Sequence, residues 1–253
     1  MIQARGISKR YGEHVAVDAV SFEVTRGEVV GFLGPNGAGK TTMMRILTGF
    51  LPPTDGAAVI DGHDMLTDPL RARRSVGYLP EIPPLYPEMD VEGYLRFVAA
   101  IKGLPRGRRR EAVERAMARC GLLDVRRRVI GSLSKGYRQR VGLGQAIVHE
   151  PPVLILDEPT VGLDPVQIRE IRALIASLAA PGPDGRQHTV ILSTHVLSEV
   201  EAICQRVILI HRGRKRLDAP LAQIMQGGQG LEAVFARETA RDEAEASGEA
   251  ASA

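Results

Sequence analysis

The chain contains no tryptophan, only 4% aromatic residues and two cysteines in 253 positions. So few aromatics argue against a stacking surface for single-stranded nucleic acid. Cys120 and Cys204 lie far apart in no Cys-x-x-Cys spacing. That excludes a disulfide framework and a zinc signature, and suits a reducing compartment. The longest apolar runs, such as Val153–Leu156 and Val207–Ile210, are about four residues, whereas a membrane-spanning helix needs about 20. No basic segment followed by an apolar stretch opens the chain, so no secretion signal is expected. Neither sign of charge dominates: 33 basic and 30 acidic residues leave a net charge of +3. Nothing there demands a nucleic-acid partner, and none is expected.

What is present is ordinary for a globular domain, with 44% hydrophobic and 25% charged residues. Short apolar runs alternate with helical patterns, as in an α/β fold with a largely buried sheet. The pattern predicts strands at Ile2–Ile7, Val20–Val24, Glu28–Leu33, Ala57–Ile60, Val76–Leu79, Val153–Leu156, Thr189–Leu192 and Val207–Ile210. It predicts helices at Gly39–Leu47, Val91–Ile101, Arg108–Cys120, Ser134–His149, Pro165–Leu178 and Val196–Cys204. Residues 1–236 read as one domain, with a helical lobe inserted at about 88–150. The proline-rich run Pro80–Pro87 marks the entrance to that lobe, and Pro151-Pro152 marks its exit. Pro181–Gly185 reads as a surface turn, and residues 237–253 as a disordered tail.

The strongest local signal is Gly34-Pro35-Asn36-Gly37-Ala38-Gly39-Lys40-Thr41-Thr42, which fits G-x-x-x-x-G-K-[ST] between an apolar strand and a helical pattern. Glycines let the backbone wrap around phosphate oxygens with its N–H groups inward, and the helix N-terminus adds partial positive charge. Lys40 is then expected on the β- and γ-phosphates of a nucleotide such as ATP, with the Thr41 hydroxyl on Mg²⁺. A purely structural turn would produce these four fixed positions by chance about once in a hundred chains of this length. The strand ending in Asp157-Glu158 supplies two acids. Alone they read as a solvated strand end. Beside the cradle, Asp157 is placed to hold Mg²⁺ and Glu158 to orient or deprotonate an attacking water.

With Leu133-Ser134-Lys135-Gly136-Tyr137-Arg138-Gln139-Arg140 the sequence resembles the ATP-binding cassette (ABC) ATPases, whose signature helix begins Leu-Ser-Gly-Gly-Gln. Ser134 is also a natural helix N-cap, and Gly136 leaves nearby amides open to an anion. The resemblance extends over about residues 2–225 in motif order and spacing. It implies the α/β P-loop NTPase fold of the ABC type: a RecA-like core, an antiparallel β subdomain and an inserted α-helical lobe. It implies that Tyr11 stacks on adenine and that Val161–Pro165 is the loop crossing a dimer interface. It also implies that His195 contacts the γ-phosphate, and that Ser134 and Gly136 of one chain cap the nucleotide held by Lys40 of a second. The activity implied is ATP hydrolysis coupled to transport.

Two motifs depart from the family pattern, at three positions. Glu81 stands where many members have Gln; a carboxylate still binds Mg²⁺ or water but does not donate as an amide does. Lys135 and Tyr137 replace Gly and Gln in the signature, with Lys135 either near the γ-phosphate or extended into solvent. These variants are most similar to the ATPase subunits of ABC-2 type exporters, including gliding-motility-like members. That resemblance implies a separate ABC-2 type permease, a homodimer in the ATP-bound state and a peripheral place on the cytoplasmic face of the inner membrane. The alternatives are a soluble ABC ATPase uncoupled from transport and a P-loop kinase, the latter leaving Leu133–Arg140 and His195 unexplained. The Arg-rich runs Arg106–Arg110 and Arg126–Arg128 read as solvated faces, Glu111 and Glu114 supplying partners.

Overall fold

In the computed structural model, residues 1–181, 187–226 and 230–251 are described, with side chains to residue 241. The turn expected at Pro181–Gly185 lies almost wholly outside the described residues. The chain opens with two long strands, β1 (Ile2–Tyr11) and β2 (His14–Val24), which pair antiparallel. Next come β3 (Val29–Leu33), the helix α1 (Lys40–Leu47), and the strands β4 (Asp55–Ile60) and β5 (His63–Asp64). Strands β2-β1-β4-β5 form one antiparallel sheet. A short helix α2 (Pro69–Arg74) leads to β6 (Val76–Leu79).

Between β6 and the next strand the chain is helical: α3 (Val91–Ile101), α4 (Arg106–Cys120) and α5 (Lys135–Ile147), joined by single 3₁₀ turns at Leu123–Val125 and Ile130–Ser132. Asp90 caps α3, its carboxylate accepting from Gly93 N at 2.7 Å. Glu92 and Glu114 both bind Arg126, at 3.1 Å each, while Glu111 pairs with Arg115 one turn on and not with the Arg106–Arg110 run.

The chain then returns through β7 (Val153–Asp157), α6 (Pro165–Ala179), β8 (Thr189–Thr194), α7 (Leu197–Ile203), β9 (Arg206–His211) and β10 (Arg214–Pro220). The second sheet has the order β10-β9-β3-β8-β7-β6, parallel except for the edge strand β10. Side chains alternate across it. Val29, Leu33, Leu154, Leu156, Val190, Leu192, Val207 and Leu209 face the helices α3–α7. Val30, Phe32, Val153, Ile155, Ile191, Ile208 and Ile210 face α1 and the antiparallel sheet. Burial on both faces is why these strands read as unbroken apolar runs.

Two helices close the chain, α8 (Leu221–Gln226) and α9 (Leu231–Ala251). Over residues 237–251 the chain is helical where a disordered tail was expected; residues 252 and 253 lie outside the described residues. Buried Leu231 and Val234 anchor the first turn of α9 against the core. Beyond them Ala, Glu and Arg are strong helix formers that extend a nucleus already made.

Candidate functional site

The site grows out of the turn from β3 into α1. Gly34 follows the last residue of β3 where a Cβ would meet the Ile210 carbonyl oxygen at 2.4 Å. Gly39 takes φ +102, and a Cβ there would lie 2.3 Å from the Ala16 carbonyl oxygen. The loop is therefore pinned between β9 and β2, and only glycine fits at both places. Ala38 is fixed from both sides, its N–H donating to Pro35 O (3.2 Å) and its carbonyl accepting from Gly213 N (3.0 Å). Helix α1 starts with no side-chain cap and no acid in its first turn, which leaves its N–H groups for an anion.

Lys40 is buried, and its Nζ donates to Gly34 O at 2.8 Å and Pro35 O at 3.2 Å, with Glu158 Oε1 at 3.4 Å. Glu158 follows β7 in the left-handed region, φ +49, a conformation that costs a non-glycine residue about 1–3 kcal/mol. Its N–H donates to Ser193 O at 2.8 Å, which holds the turn beside the end of β8. The carboxylate so aimed meets His195 Nδ1 at 2.9 Å. The amine of Lys40, the Glu158 carboxylate and the His195 imidazole thus form one contiguous group.

A cavity of about 510 Å³ collects Tyr11, Asn36, Gly37, Gly39, Lys40, Thr41, Thr42, Glu81, Glu158 and His195 along one wall system. It also takes in Val161, the first residue of the Val161–Pro165 loop, and His14 and Ala16, which the sequence did not single out. Tyr11 is half-exposed at the end of β1, facing His14 across the β1–β2 pair. Gly34, Pro35 and Ala38 supply backbone to the loop itself.

Asp157 is fully buried at the end of β7, and among the described residues no hydrogen bond of good geometry reaches either carboxylate oxygen. Burial pushes its carboxyl above the ordinary carboxylate range, against the pull of the Ser193 and Thr41 hydroxyls; Glu158 and Glu81 push further upward. A buried carboxylate in that condition is costly unless a cation or donor completes it. Thr41, Glu81 and Asp157 line a second cavity of about 470 Å³ that adjoins the cradle through Thr41 and Glu81. Among the described residues no group of three His, Cys, Asp or Glu stands at metal-binding spacing. The unpartnered buried carboxylate of Asp157, with the Thr41 hydroxyl and Glu81 on the same cavity wall, has the all-oxygen chemistry that would suit a hard cation such as Mg²⁺.

Ser134 and Gly136 do not join this group. Ser134 caps α5, its Oγ accepting from Tyr137 N at 3.4 Å, and both residues line a separate cavity of about 260 Å³ with Gly121, Tyr137, Arg140 and Gln167. Asp164 caps α6 through Val166 N and Gln167 N, both at 2.9 Å, with Pro165 at the first helical position. Lys135 reaches toward that loop: a Cβ on Gly162 would meet its Nζ.

The family model described as "ABC transporter" matches residues 17–161, and the chain belongs to that family. It is an ATP-binding subunit of an ABC transporter, an ATPase. Among curated relatives, the bacitracin transport ATP-binding protein BcrA of Bacillus licheniformis is 36% identical over 220 residues, 87% of this chain and 70% of its own length. A solved ATP-binding subunit of an ABC transporter superposes with TM-score 0.83 at 30% identity, covering 94% of this chain and 99% of that one. A bacterial ABC transporter cassette solved as a dimer gives TM-score 0.76 at 26% identity over 87% of this chain and 98% of that one.

Proposed function

We propose that two copies of this chain bind two ATP molecules between them and drive export through a separate ABC-2 type permease from the cytoplasmic face of the inner membrane. The observation that carries the reading is the split site: Lys40, Thr41, Glu158 and His195 share one cavity while Ser134 and Gly136 line another. A half-site with its cap elsewhere asks for a second copy, and the dimeric cassette of similar fold supports that arrangement. Names such as BcrA and the linearmycin resistance protein LnrL of Bacillus subtilis, 33% identical over 213 residues, support an export role.

In this reading the loop Gly34–Gly39 and the α1 N-terminus hold the phosphates, Lys40 neutralises β- and γ-oxygens, and Tyr11 stacks on the base. Mg²⁺, held by Thr41 and Asp157 with Glu81 near, would add charge neutralisation. Glu158 takes a proton from the attacking water, and His195, within 2.9 Å of that carboxylate, orients it and meets the γ-phosphate. ATP stabilises the closed dimer; hydrolysis removes the contacts that favoured it.

Among the described residues no helix is long and apolar enough to cross a membrane, so transport needs a partner. The 470 Å³ cavity faces it in this reading, offering exposed Phe50 and Ile82 beside Arg45 and Lys102 next to the loop that carries Glu81. Glu158→Gln is expected to retain Mg-ATP binding while losing turnover. A variant hydrolysing ATP at the wild-type rate would refute the assignment.

A further inference from the structure

Glu199 has no part in the site described above, and its sequence position, in the first turn of a short helix, reads as solvated. It is instead buried, with 1% of its surface exposed. Its two carboxylate oxygens are divided between two loops. Oε1 accepts from the Thr160 hydroxyl, two residues after Glu158, and Oε2 accepts from the Thr194 hydroxyl at 2.8 Å, one residue before His195. Thr194 Oγ1 in turn accepts the Val196 N–H at 3.1 Å, so the hydroxyl that Glu199 holds also ties down the peptide unit that follows His195. Thr160 and Thr194 are themselves buried. An ionised carboxylate is an acceptor only, and two hydroxyl donors, one on each oxygen, are what lets it sit away from water.

We infer that Glu199 is a positioning residue for hydrolysis: it braces the chain segments carrying Glu158 and His195 so that the two side chains hold their 2.9 Å contact. This rests on the assignment of Glu158 and His195 to the chemistry proposed above. The cradle is built on β3 and α1, and no hydrogen bond of Glu199 reaches it. Loss of the brace therefore lets the Glu158–His195 pair drift without loosening the phosphate grip, and a misplacement near 1 Å lowers rate about 100-fold.

The test is a double-mutant cycle on the full chain, with ATPase rate, Mg-ATP affinity and thermal unfolding measured for Glu199→Ala, His195→Ala and the double variant. The expected result is a kcat lowered about 10- to 100-fold by Glu199→Ala with Kd for Mg-ATP unchanged within about twofold. Added to His195→Ala, the same change should cost clearly less than it does alone, because one of the two groups it positions is already gone and only Glu158 is left to drift. Glu199→Gln keeps the volume and one acceptor oxygen, and should recover part of the rate. Should the alanine variant fail to fold, the cycle is run with glutamine. Equal losses of kcat in both backgrounds, or a weakened Kd accompanying the lost rate, would overturn the inference. Wild-type hydrolysis that survives Glu158→Gln would instead sink the underlying assignment, and the inference with it.

Discussion

Replacing Gly39 by alanine strikes the point where the loop is most constrained. The added Cβ would stand 2.3 Å from the Ala16 carbonyl oxygen, where real Cβ contacts essentially never fall below 3.0 Å. Backbone cannot swing aside as a flexible side chain does, so β2 or the loop must give by about 0.7 Å, and a displacement that costs the phosphate contacts only about 1.4 kcal/mol is already a tenfold loss of affinity. The φ of +102 adds strain of about 1–3 kcal/mol for any residue with a Cβ. Gly37→Ala is the matched control. It has φ +79 but nothing within 4 Å of the new Cβ, so it carries the strain without the collision. Titration of a fluorescent ATP analogue, alongside thermal unfolding, should show Gly39→Ala binding at least tenfold more weakly than Gly37→Ala. Equal affinities for the two variants would mean that contact with β2 does not set the loop, and the account of the cradle would be wrong.

Lys40→Ala should lose nucleotide affinity and also leave Glu158 buried beside His195 without its lysine, and isothermal titration reads the first effect directly. Asp164→Ala removes two N-cap hydrogen bonds from α6 and should cost about 1 kcal/mol, read as a lowered denaturant midpoint. Burial holds the His149 imidazole down at about 3 in the folded chain, against 6.5 when free, and burial lowers His188 as well. The unfolded chain therefore binds more protons between those values. Stability contributed by a neutral His149 is complete above pH 6.5 and is lost as pH falls toward 3, at about 1.4 kcal/mol per pH unit. His149→Gln should flatten the fall in unfolding free energy between pH 6.5 and 5 without abolishing it, His188 supplying the remainder; an unchanged slope would contradict the assignment.

How far the sequence exposed this molecule depends on what each segment packs against. Val153–Leu156, Thr189–Leu192 and Val207–Ile210 were legible because both faces of their sheet are buried. Strand β10, Arg-Lys-Arg-Leu-Asp-Ala-Pro, was not: it is an edge strand whose charges pair with β9 and β2, as Asp218 does with Arg206 at 2.7 Å and Arg214 with Asp18 at 2.8 Å. The two-residue β5 and the six-residue α2 are too short for any periodicity to register. In the site, fixed spacing revealed the cradle and the Asp157-Glu158 pair, and the structure brings Tyr11, Glu81 and His195 to the same cavity. His14 and Ala16 reach that cavity only through the β1–β2 pairing, which no local pattern encodes. Glu199 was hidden for a different reason: an acid early in a helix is ordinary, and only the packing of α7 against β3, β8 and α6 buries it.

The central claim, a catalytic site shared between two chains, is tested most directly by sedimentation of Glu158→Gln in Mg-ATP with and without Ser134→Arg added to the same chain. The account predicts a dimer for the single variant and a monomer for the double variant, with each chain still binding nucleotide through its own cradle, more weakly by what the partner's cap contributes. A dimer that persists with Ser134→Arg, or a single variant that stays monomeric while saturated with Mg-ATP, would contradict it.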